Sequence, residues 1–346
     1  MQIKTIIIIG AGWYGCYAAL LLQQKYNVIL IEKENDFFLK SSYYNQNRLH
    51  LGYHYCRDHK TRVLCKNGYD KFLSKFEKEQ FVNKVEKNYY LISNNSLLDF
   101  ETIFAIYKYQ NYTFDVIQST FFKNVNENIM HVNECMIDSK MVKKFFLENI
   151  SCKKMFNTKV TLSNPRDDPK IIFENNTIVD CDFIIDCTFN ALNLSSKKYI
   201  YEKTISLLYR NKSETYFDAI TMIDGNFFSL YPHDIHNNIY SLTDVEFTPL
   251  IKSEKLEDID NFVVTEEIID VVKSKMENKV KYYYEIFKNH FEYVGYFCSN
   301  KTKLVSCSDS RECNIEKIND KLITINCGKI TGIFEMEDYF KEISLL

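Results

Sequence analysis

The hydrophobic pattern at the start of the chain predicts a strand, a helix and a second strand in close succession. Residues 6–9 are an unbroken run of isoleucine, which is typical of a strand buried on both faces. Small and apolar residues follow at helical spacing over 16–24, and residues 28–31 form a second apolar run. The chain therefore opens with a βαβ unit, the building block of a parallel sheet.

Later segments differ in kind from this unit. Residues 200–248 alternate strand-like runs with turn signals, which predicts an antiparallel sheet, and 158–179 have the pattern of a strand meander. Two kinds of sheet in a chain of 346 residues indicate two domains interleaved in sequence. The same patterns predict further strands over 88–93, 113–122, 183–185 and 322–326, and helices over 62–81, 97–109, 138–150, 265–291 and 333–343.

Three of the nine glycines lie between the first strand and the first helix. Gly10, Gly12 and Gly15 have G-x-G-x-x-G spacing, and Glu32 ends the second strand. In this context Gly10 permits the tight turn, Gly12 lets the backbone approach a pyrophosphate, and Gly15 lets the helix pack on the strand. Amides at the helix start suit phosphate, and Glu32 suits ribose hydroxyls. The motif predicts a dinucleotide site without choosing between NAD and FAD.

Composition narrows the class of partner. The net charge of −3 gives no basic excess, so we expect no nucleic-acid partner. The eleven cysteines are scattered without metal-ligand spacing, which predicts reduced thiols in a cytoplasmic protein and no metal site. No apolar run approaches the length of a membrane span, and a core strand at the N-terminus leaves no room for a signal peptide. The oligomeric state stays open.

A polar segment over 35–62 follows the βαβ unit and has little helical or alternating period. A long irregular segment rich in hydrogen-bond donors, directly after a dinucleotide unit, predicts a ligand-wrapping loop. Its polar side chains are Asn45, Gln46, Asn47, Arg48, His50, His54 and Arg57.

Four motifs together resemble FAD-dependent oxidoreductases of the D-amino-acid oxidase and glycine oxidase type, the DAO superfamily. The first is GAGWYG at 10–15 with Glu32. The second, KSSYYNQNRLHLGYHY at 40–55, is similar to the Ser-rich loop that lies along the flavin. The third is the helix at 138–150 with TKV at 158–160 and the turn at 186–188. The fourth, CGKITG at 327–332, is similar to the C-terminal strand-Gly-helix junction that faces the flavin ring.

The resemblance implies an α/β fold (α+β overall), with a Rossmann-like FAD-binding domain interleaved with an antiparallel-sheet substrate domain. We expect the FAD-binding domain at 1–60, 130–195 and 300–346, and the substrate domain at 61–129 and 196–299. FAD is expected to be held noncovalently. Its expected ligands follow the motifs: Gly10, Gly12, Trp13, Tyr14, Gly15, Glu32 and Lys33; Ser42, Asn45, Asn47, Arg48 and Gly52; Val160 and Thr188; Gly328, Lys329, Ile330 and Thr331.

Three residues are candidates for catalysis. Arg311, in SDSRECN, resembles the Gly-x-Arg-Pro arginine that binds a substrate carboxylate in amino-acid oxidases, although Ser310 and Glu312 flank it here. A guanidinium suits bidentate carboxylate binding. His50 and His54 are candidates to accept a proton as hydride leaves, because the pKa of histidine lies near neutrality.

The expected activity is oxidation of a C–N (or C–O) bond in a small polar substrate, such as an amino acid, amine or amino sugar, with hydride transfer to flavin. One alternative is a redox-neutral flavoenzyme similar to UDP-galactopyranose mutase, which Gly52-Tyr53-His54 resembles. Arg210 is the single arginine between 200 and 300, whereas a mutase needs a clamp of several. A non-catalytic FAD-binding protein is a further alternative. An NAD-dependent dehydrogenase explains the first unit but leaves the 40–55 and 327–332 motifs unexplained.

The carboxylate hypothesis for Arg311 is testable by substitution. We expect Arg311→Ala to abolish turnover of a carboxylate substrate while the flavin-to-protein absorbance ratio stays unchanged, because the variant loses bidentate recognition only. Arg311→Lys keeps the charge without the fork and serves as the matched variant. Loss of flavin from Arg311→Ala would show a structural role instead.

Overall fold

The computed structural model describes residues 3–225, 227–305 and 313–346. The helices of this part of the chain are α1 (Trp13–Leu22), α2 (His59–Phe76), α3 (Phe100–Tyr109), α4 (Ser139–Asn149), α5 (Leu256–Asp260), α6 (Glu266–Tyr283), α7 (Phe287–His290) and α8 (Ile333–Glu342), with 3-10 turns at Ile235–Asn237 and Ile330–Gly332.

The strands carry most of the architecture. In chain order they are β1 (Thr5–Ile9), β2 (Asn27–Ile31), β3 (Arg48–Leu49), β4 (Val82–Val85), β5 (Asn88–Ile92), β6 (Phe114–Gln118), β7 (Asn128–Val132), β8 (Glu134–Ile137), β9 (Lys153–Met155), β10 (Val160–Ser163), β11 (Lys170–Phe173), β12 (Ile178–Val179), β13 (Phe183–Asp186), β14 (Tyr199–Asn211), β15 (Ala219–Ile223), β16 (Phe228–Asp234), β17 (Ile239–Asp244), β18 (Pro249–Ser253), β19 (Phe291–Leu304), β20 (Asn314–Asn319) and β21 (Leu322–Asn326).

The chain divides into two compact units, each assembled from separated segments. Unit 1 comprises 1–43, 139–200 and 302–346, and unit 2 comprises 44–138 and 201–301. Residues 44–60 and 130–138, which the sequence assigns to the FAD-binding domain, lie in unit 2. The polar 40–55 segment is therefore shared between the units.

Unit 1 is built on a sheet with strand order β20-β21-β13-β1-β2-β9. β1 is central and pairs in parallel with β2 and β13, and β13 pairs in parallel with β21. The isoleucines of β1 are buried, as both faces of such a strand require. Strands β10, β11 and β12 form a separate antiparallel meander, which confirms the pattern predicted over 158–179.

Unit 2 is built on a larger sheet with strand order β18-β14-β17-β16-β15-β5-β7-β6, and β19 also pairs with β14. Its pairs from β14 to β17 are antiparallel, which confirms the sheet predicted over 200–248. A parallel pair, β15 with β5, joins these strands to those before residue 138. A smaller sheet has the order β3-β8-β4. One apolar core of this unit contains Ile269, Val272, Met276 and Val280 from α6.

The predicted helix over 265–291 is too long. Thr265 caps α6 through its hydroxyl, which accepts from the Ile268 amide, but the helix ends at Tyr283. Tyr284 leaves helical geometry with φ −132° and ψ 85°. Phe291 then begins β19, a strand that the hydrophobic pattern does not assign. The aromatic and β-branched residues over 282–297 favour extended backbone, and the helical spacing of the preceding residues masks this change.

The described ranges contain no helix long and apolar enough to cross a membrane. They also contain no group of His, Cys, Asp and Glu side chains arranged to hold a metal ion.

Candidate functional site

The glycine turn of unit 1 is packed too closely for side chains at two positions. Gly10 has φ +98°, and a Cβ there would lie 2.7 Å from the Cys187 carbonyl oxygen. A Cβ on Gly15 would lie 1.8 Å from the Gly10 carbonyl oxygen. Glycine at both positions is therefore what lets α1 begin directly against the turn that leaves β1.

The first turn of α1 is arranged around backbone amides. Helix α1 has no side-chain cap from Gly12 itself, whereas the Trp13 amide donates to Ser42 Oγ at 3.0 Å. The Ala11 amide donates to Glu32 Oε2 at 2.7 Å. A Cβ on Gly12 would lie 2.6 Å from Ser42 Oγ. A helix start whose N-cap residue is a glycine without a capping side chain suits the close approach of a phosphate.

Glu32 lies at the end of β2 and is oriented by the main chain. Its second carboxylate oxygen, Oε1, accepts from the Glu34 amide at 3.0 Å. Each carboxylate oxygen can accept more than one hydrogen bond, so both retain capacity for the hydroxyls of a ribose. The predicted ribose-binding role of Glu32 fits this geometry.

The C-terminal ends of β1, β13 and β21 meet at one edge of the parallel sheet. The chain runs from β1 to β2 on one side and returns on the other side as β13, which is the switch point where α/β sheets bind ligands. Asp186, fully buried at the end of β13, accepts from the Thr188 amide at 2.9 Å and from Thr324 Oγ1 at 2.8 Å. Burial raises the pKa of Asp186, and these bonds work against that rise. They hold the 186–188 turn against β21.

The C-terminal motif returns to this glycine turn. Tyr14 Oη donates to the Lys329 carbonyl at 2.6 Å. The 3-10 turn Ile330–Gly332 leads into α8, and no side chain caps either start. Thr331 is 3% exposed, and its hydroxyl has no hydrogen-bond partner among the described residues. A Cβ on Gly328 would meet no atom within 4 Å.

The remaining predicted ligands of unit 1 occupy different environments. The Trp13 indole is buried against Phe38 and Phe146, with ring centroids at 5.5 and 5.6 Å, so only its main chain faces the turn. Val160 begins β10 and is 6% exposed in the core of the unit. Lys33 is exposed. The structure thus brings the glycine turn, Glu32, Ser42, Thr188 and the C-terminal motif to one edge of unit 1.

Arg48 is the most buried charge of the predicted ligand-wrapping loop. It begins β3 in unit 2, and its side chain is 1% exposed. Nη1 donates to Tyr90 Oη at 2.8 Å, and Nη2 donates to Thr221 Oγ1 at 2.8 Å and to Ser229 Oγ at 2.6 Å. The guanidinium carbon lies 3.8 Å from the centroid of the Tyr231 ring. Hydrogen bonds and the ring face together replace the water that Arg48 loses.

Glu134 supplies the compensating charge. Its side chain is 0% exposed, and Oε2 lies 3.8 Å from Arg48 Nη1. Oε1 accepts from the Leu51 amide at 2.8 Å, and Oε2 accepts from Tyr90 Oη at 2.7 Å. Burial raises the pKa of Tyr90 well above its ordinary value, so Tyr90 stays a neutral donor. The Arg48 cluster is defined as Arg48, His54, Tyr90, Glu134, Thr221, Ser229 and Tyr231.

His54 is oriented by this cluster. Its Nδ1 lies 3.1 Å from Arg48 Nη1 and 3.0 Å from Tyr90 Oη. Because a guanidinium can only donate, Nδ1 must accept, which assigns the imidazole proton to Nε2. The His50 ring meets the His54 ring edge-on at 5.0 Å. The structure therefore brings both predicted catalytic histidines together in unit 2.

Three other predicted ligands of this loop also lie in unit 2. The Asn47 amide donates to Asn45 Oδ1 at 2.7 Å, and the Asn47 side chain donates to the His233 carbonyl at 3.5 Å. Gly52 has φ +116°, and a Cβ there would lie 2.6 Å from Tyr112 Oη. Gly52 therefore lies in a tight turn that packs against Tyr112.

Sequence reasoning missed the partners of Arg48. Tyr90, Glu134, Thr221 and Ser229 come from strands β5, β8, β15 and β16, which no local pattern joins to residue 48. One signal was available, because Glu134 opens the otherwise apolar run ECMI and a buried carboxylate requires a partner. Arg311, the third catalytic candidate, lies outside the described residues.

Comparison with known proteins indicates the class of enzyme that this chain resembles. Residues 5–112 match the family model described as FAD dependent oxidoreductase. The FAD-dependent monooxygenase FPY4 of Fusarium mangiferae is 29% identical over 333 residues, covering 94% of this chain and 87% of that protein. The fold is similar to glycine oxidase from Geobacillus kaustophilus, with TM-score 0.71, 10% identity and coverage of 95% and 91%. It is also similar to the FAD-bound L-α-glycerophosphate oxidase of Mycoplasma pneumoniae, with TM-score 0.72, 16% identity and coverage of 100% and 95%.

The matched family model and the similar folds are those of FAD-dependent oxidoreductases, which confirms the predicted resemblance to the DAO superfamily. The predicted fold class, enzyme class and cofactor are confirmed. The residues of unit 1 fit FAD, because the α1 start, whose N-cap residue is Gly12, suits its pyrophosphate, and the buried Thr331 hydroxyl and open space at Gly328 suit a group at the C-terminal turn. Gly10, Gly12, Glu32, Ser42, Lys329 and Thr331 would hold it.

The phosphate role of Gly12 gives a prediction. We expect Gly12→Val to purify with little flavin, because a side chain would block the backbone from a phosphate and would also meet Ser42 Oγ. The measurement is the flavin-to-protein absorbance ratio, with circular dichroism to confirm folding. Gly12→Ala with Ser42→Ala removes the internal collision, and Ser42→Ala alone is its matched control, because Ser42 is itself assigned to FAD. Full flavin in that double variant would contradict the assignment of Gly12 to the phosphate.

The Arg48 cluster gives a second prediction. Tyr90→Phe leaves Glu134 Oε2 and Arg48 Nη1 each short of one hydrogen-bond partner in a buried site. We expect it to lower the free energy of urea unfolding by about 1–3 kcal/mol. Tyr109→Phe removes a hydroxyl from a side chain on a residue that is 89% exposed and should leave the unfolding curve unchanged. Equal curves for both variants would show that the Tyr90 hydroxyl is dispensable.

Proposed function

We propose that this enzyme oxidises a C–N (or C–O) bond of a small polar substrate, such as an amino acid, amine or amino sugar. The observation that carries the proposal is the C-terminal turn at 328–332. Its helix starts lack side-chain caps, and Thr331 keeps a buried hydroxyl without a partner among the described residues. FAD, when bound, supplies the hydride acceptor.

The turn is suited to the charge that hydride transfer creates. Backbone amides at a helix start carry partial positive charge and stabilise an anion without reorganising. The Tyr14 hydroxyl fixes the Lys329 carbonyl, so the main chain of the turn is held in place. These features favour a net redox reaction over a role in binding alone.

Similar folds support the choice of bond. One similar structure is a glycine oxidase and another is an L-α-glycerophosphate oxidase, so this fold accommodates substrates with either an amine or an alcohol carbon. Arg311 is the proposed partner of a substrate carboxylate. A carboxylate-free amine or amino sugar would not need it.

The histidines are proposed to act on the substrate's polar group. With its proton on Nε2 and Nδ1 facing Arg48, His54 is suited to donate a hydrogen bond rather than to take a proton. A second proton on Nδ1 would face the positive guanidinium, which disfavours it. His50, whose ring packs on His54, is the better candidate for a base.

A second candidate function is monooxygenation. It is favoured by the similarity to the FAD-dependent monooxygenase FPY4, which extends over 94% of this chain. Such a reaction consumes a separate reductant and places an oxygen atom from O2 in the product. The oxidation proposed above consumes no added reductant and releases peroxide when O2 is the acceptor.

An anaerobic titration distinguishes the candidates. We expect amino acids, polyamines, sugar amines or glycerol phosphate to bleach the visible flavin absorption of the holoenzyme without any reductant, and O2 to restore it with peroxide released. Bleaching only by a nicotinamide reductant, followed by incorporation of isotopically heavy O2, would establish monooxygenation instead. Isomerisation of a nucleotide-sugar without net redox change would establish the mutase alternative.

A further inference from the structure

Two cysteines continue the ladder at the open end of the β20–β21 hairpin. The outermost registered pair is Asn314 with Asn326, so the next positions outward are Cys313 and Cys327. Residues directly opposite in an antiparallel ladder have Cα atoms about 4.5–5.5 Å apart. A disulfide requires about 4.4–6.8 Å. Cys313 and Cys327 therefore lie directly beyond the last registered pair, on opposite strands of the hairpin.

Their side chains also converge on one point. A Cβ built on Gly332 would lie 2.6 Å from Cys327 Sγ and 3.3 Å from Cys313 Cβ. The two thiols lie close enough for each to shift the pKa of the other. Cys313 Sγ also approaches the Gly332 carbonyl at 3.7 Å. Both residues are half-buried.

The surroundings make the two thiols unequal. The neighbouring Cys313 thiol lowers the pKa of Cys327 against the effect of burial, and the Lys329 amide, which donates to Cys327 Sγ at 3.5 Å, adds to this. The neighbouring Cys327 thiol and burial raise the pKa of Cys313. One cysteine is therefore suited to attack as a thiolate and the other to resolve the product.

We propose that Cys313 and Cys327 form a redox-active thiol pair that closes to a disulfide on reaction with a peroxide. The Cys327 thiolate attacks one peroxide oxygen, the O–O bond breaks, and a sulfenic acid and hydroxide form. The Cys313 thiol then attacks the sulfenic sulfur, the S–O bond breaks, and water leaves with the thiol proton. Two thiols are oxidised by two electrons and one hydrogen peroxide is reduced to two waters.

The pair lies where its oxidation reaches the cofactor motif. Cys327 directly precedes the turn at 328–332, and Gly332 of that turn packs on both sulfur-bearing residues. Closing the disulfide would convert the Cys327 thiolate, which accepts from the Lys329 amide, to a neutral disulfide sulfur. It would also link the two strands at the open end of the hairpin. This inference goes beyond the proposed substrate oxidation and does not depend on which bond the enzyme oxidises.

Peptide mapping of the native holoprotein tests the pair. The protein is treated with equimolar hydrogen peroxide, alkylated and digested with trypsin without reduction. We expect loss of both free thiols and one species that joins peptides 312–317 and 322–329, which dithiothreitol separates. Cys152 is the internal control, because burial raises the pKa of this half-buried thiol, and it should stay alkylatable.

Single variants assign the order of attack. Cys313→Ser should leave a sulfenic acid on residue 327 that dimedone traps, whereas Cys327→Ser should leave residue 313 as a free thiol. Cys152→Ser should form the same joined peptides as the native chain. The proposal is overturned if Cys327 pairs with Cys307, in peptide 304–311, or if both thiols survive peroxide while the protein stays folded.

Discussion

The close approach of α1 to the end of β1 is the constraint from which the cofactor unit follows. Gly15 and Gly10 lack the side chains that would separate helix from turn, and Cys187 of the neighbouring β13 turn fills the remaining space. This packing fixes where the helix start points and which main-chain amides lie at the sheet edge. Glu32 and Ser42 each accept a hydrogen bond from that frame, and the Cys187 amide of the 186–188 turn donates to the Ile9 carbonyl at 2.8 Å. The proposed diphosphate site is thus formed by backbone more than by side chains.

The main constraint in unit 2 is the burial of the Arg48 guanidinium. Burying an ion pair rarely adds net stability, because desolvation offsets most of the attraction. The Arg48 cluster nevertheless satisfies its charge with hydroxyls, a carboxylate and a ring face drawn from four strands. A cluster of this kind has few alternative arrangements, since hydroxyls from three strands hold Arg48 Nη1 and Nη2, while Arg48 Nε has no partner among the described residues. Its value lies in fixing the orientation of His54, which a purely apolar core could not do.

The local motifs were readable from sequence, and the long-range pairings were not. The opening βαβ unit, the meander over 158–179 and the strand Leu322–Asn326 follow from periodicity and turn residues, because those signals act over a few positions. The polar loop after Glu32 carried no such signal. Arg48 was expected to contact the ligand, and its observed contacts are instead with strands β5, β15 and β16, whose polar residues look unremarkable in isolation. The end of α6 was missed because helical and extended preferences overlap there.

The segmented build of unit 1 has a consequence for synthesis on the ribosome. β13 lies between β1 and β21 in the sheet, but β21 comes from the last part of the chain. While the intervening residues are being translated, β13 exposes an unpaired edge, and the glycine turn lacks the C-terminal motif that closes on Tyr14. Unit 1 therefore completes its sheet only after nearly the whole chain has emerged. Because elongation is slow, a nascent chain with such an edge needs protection from aggregation, which chaperones usually provide.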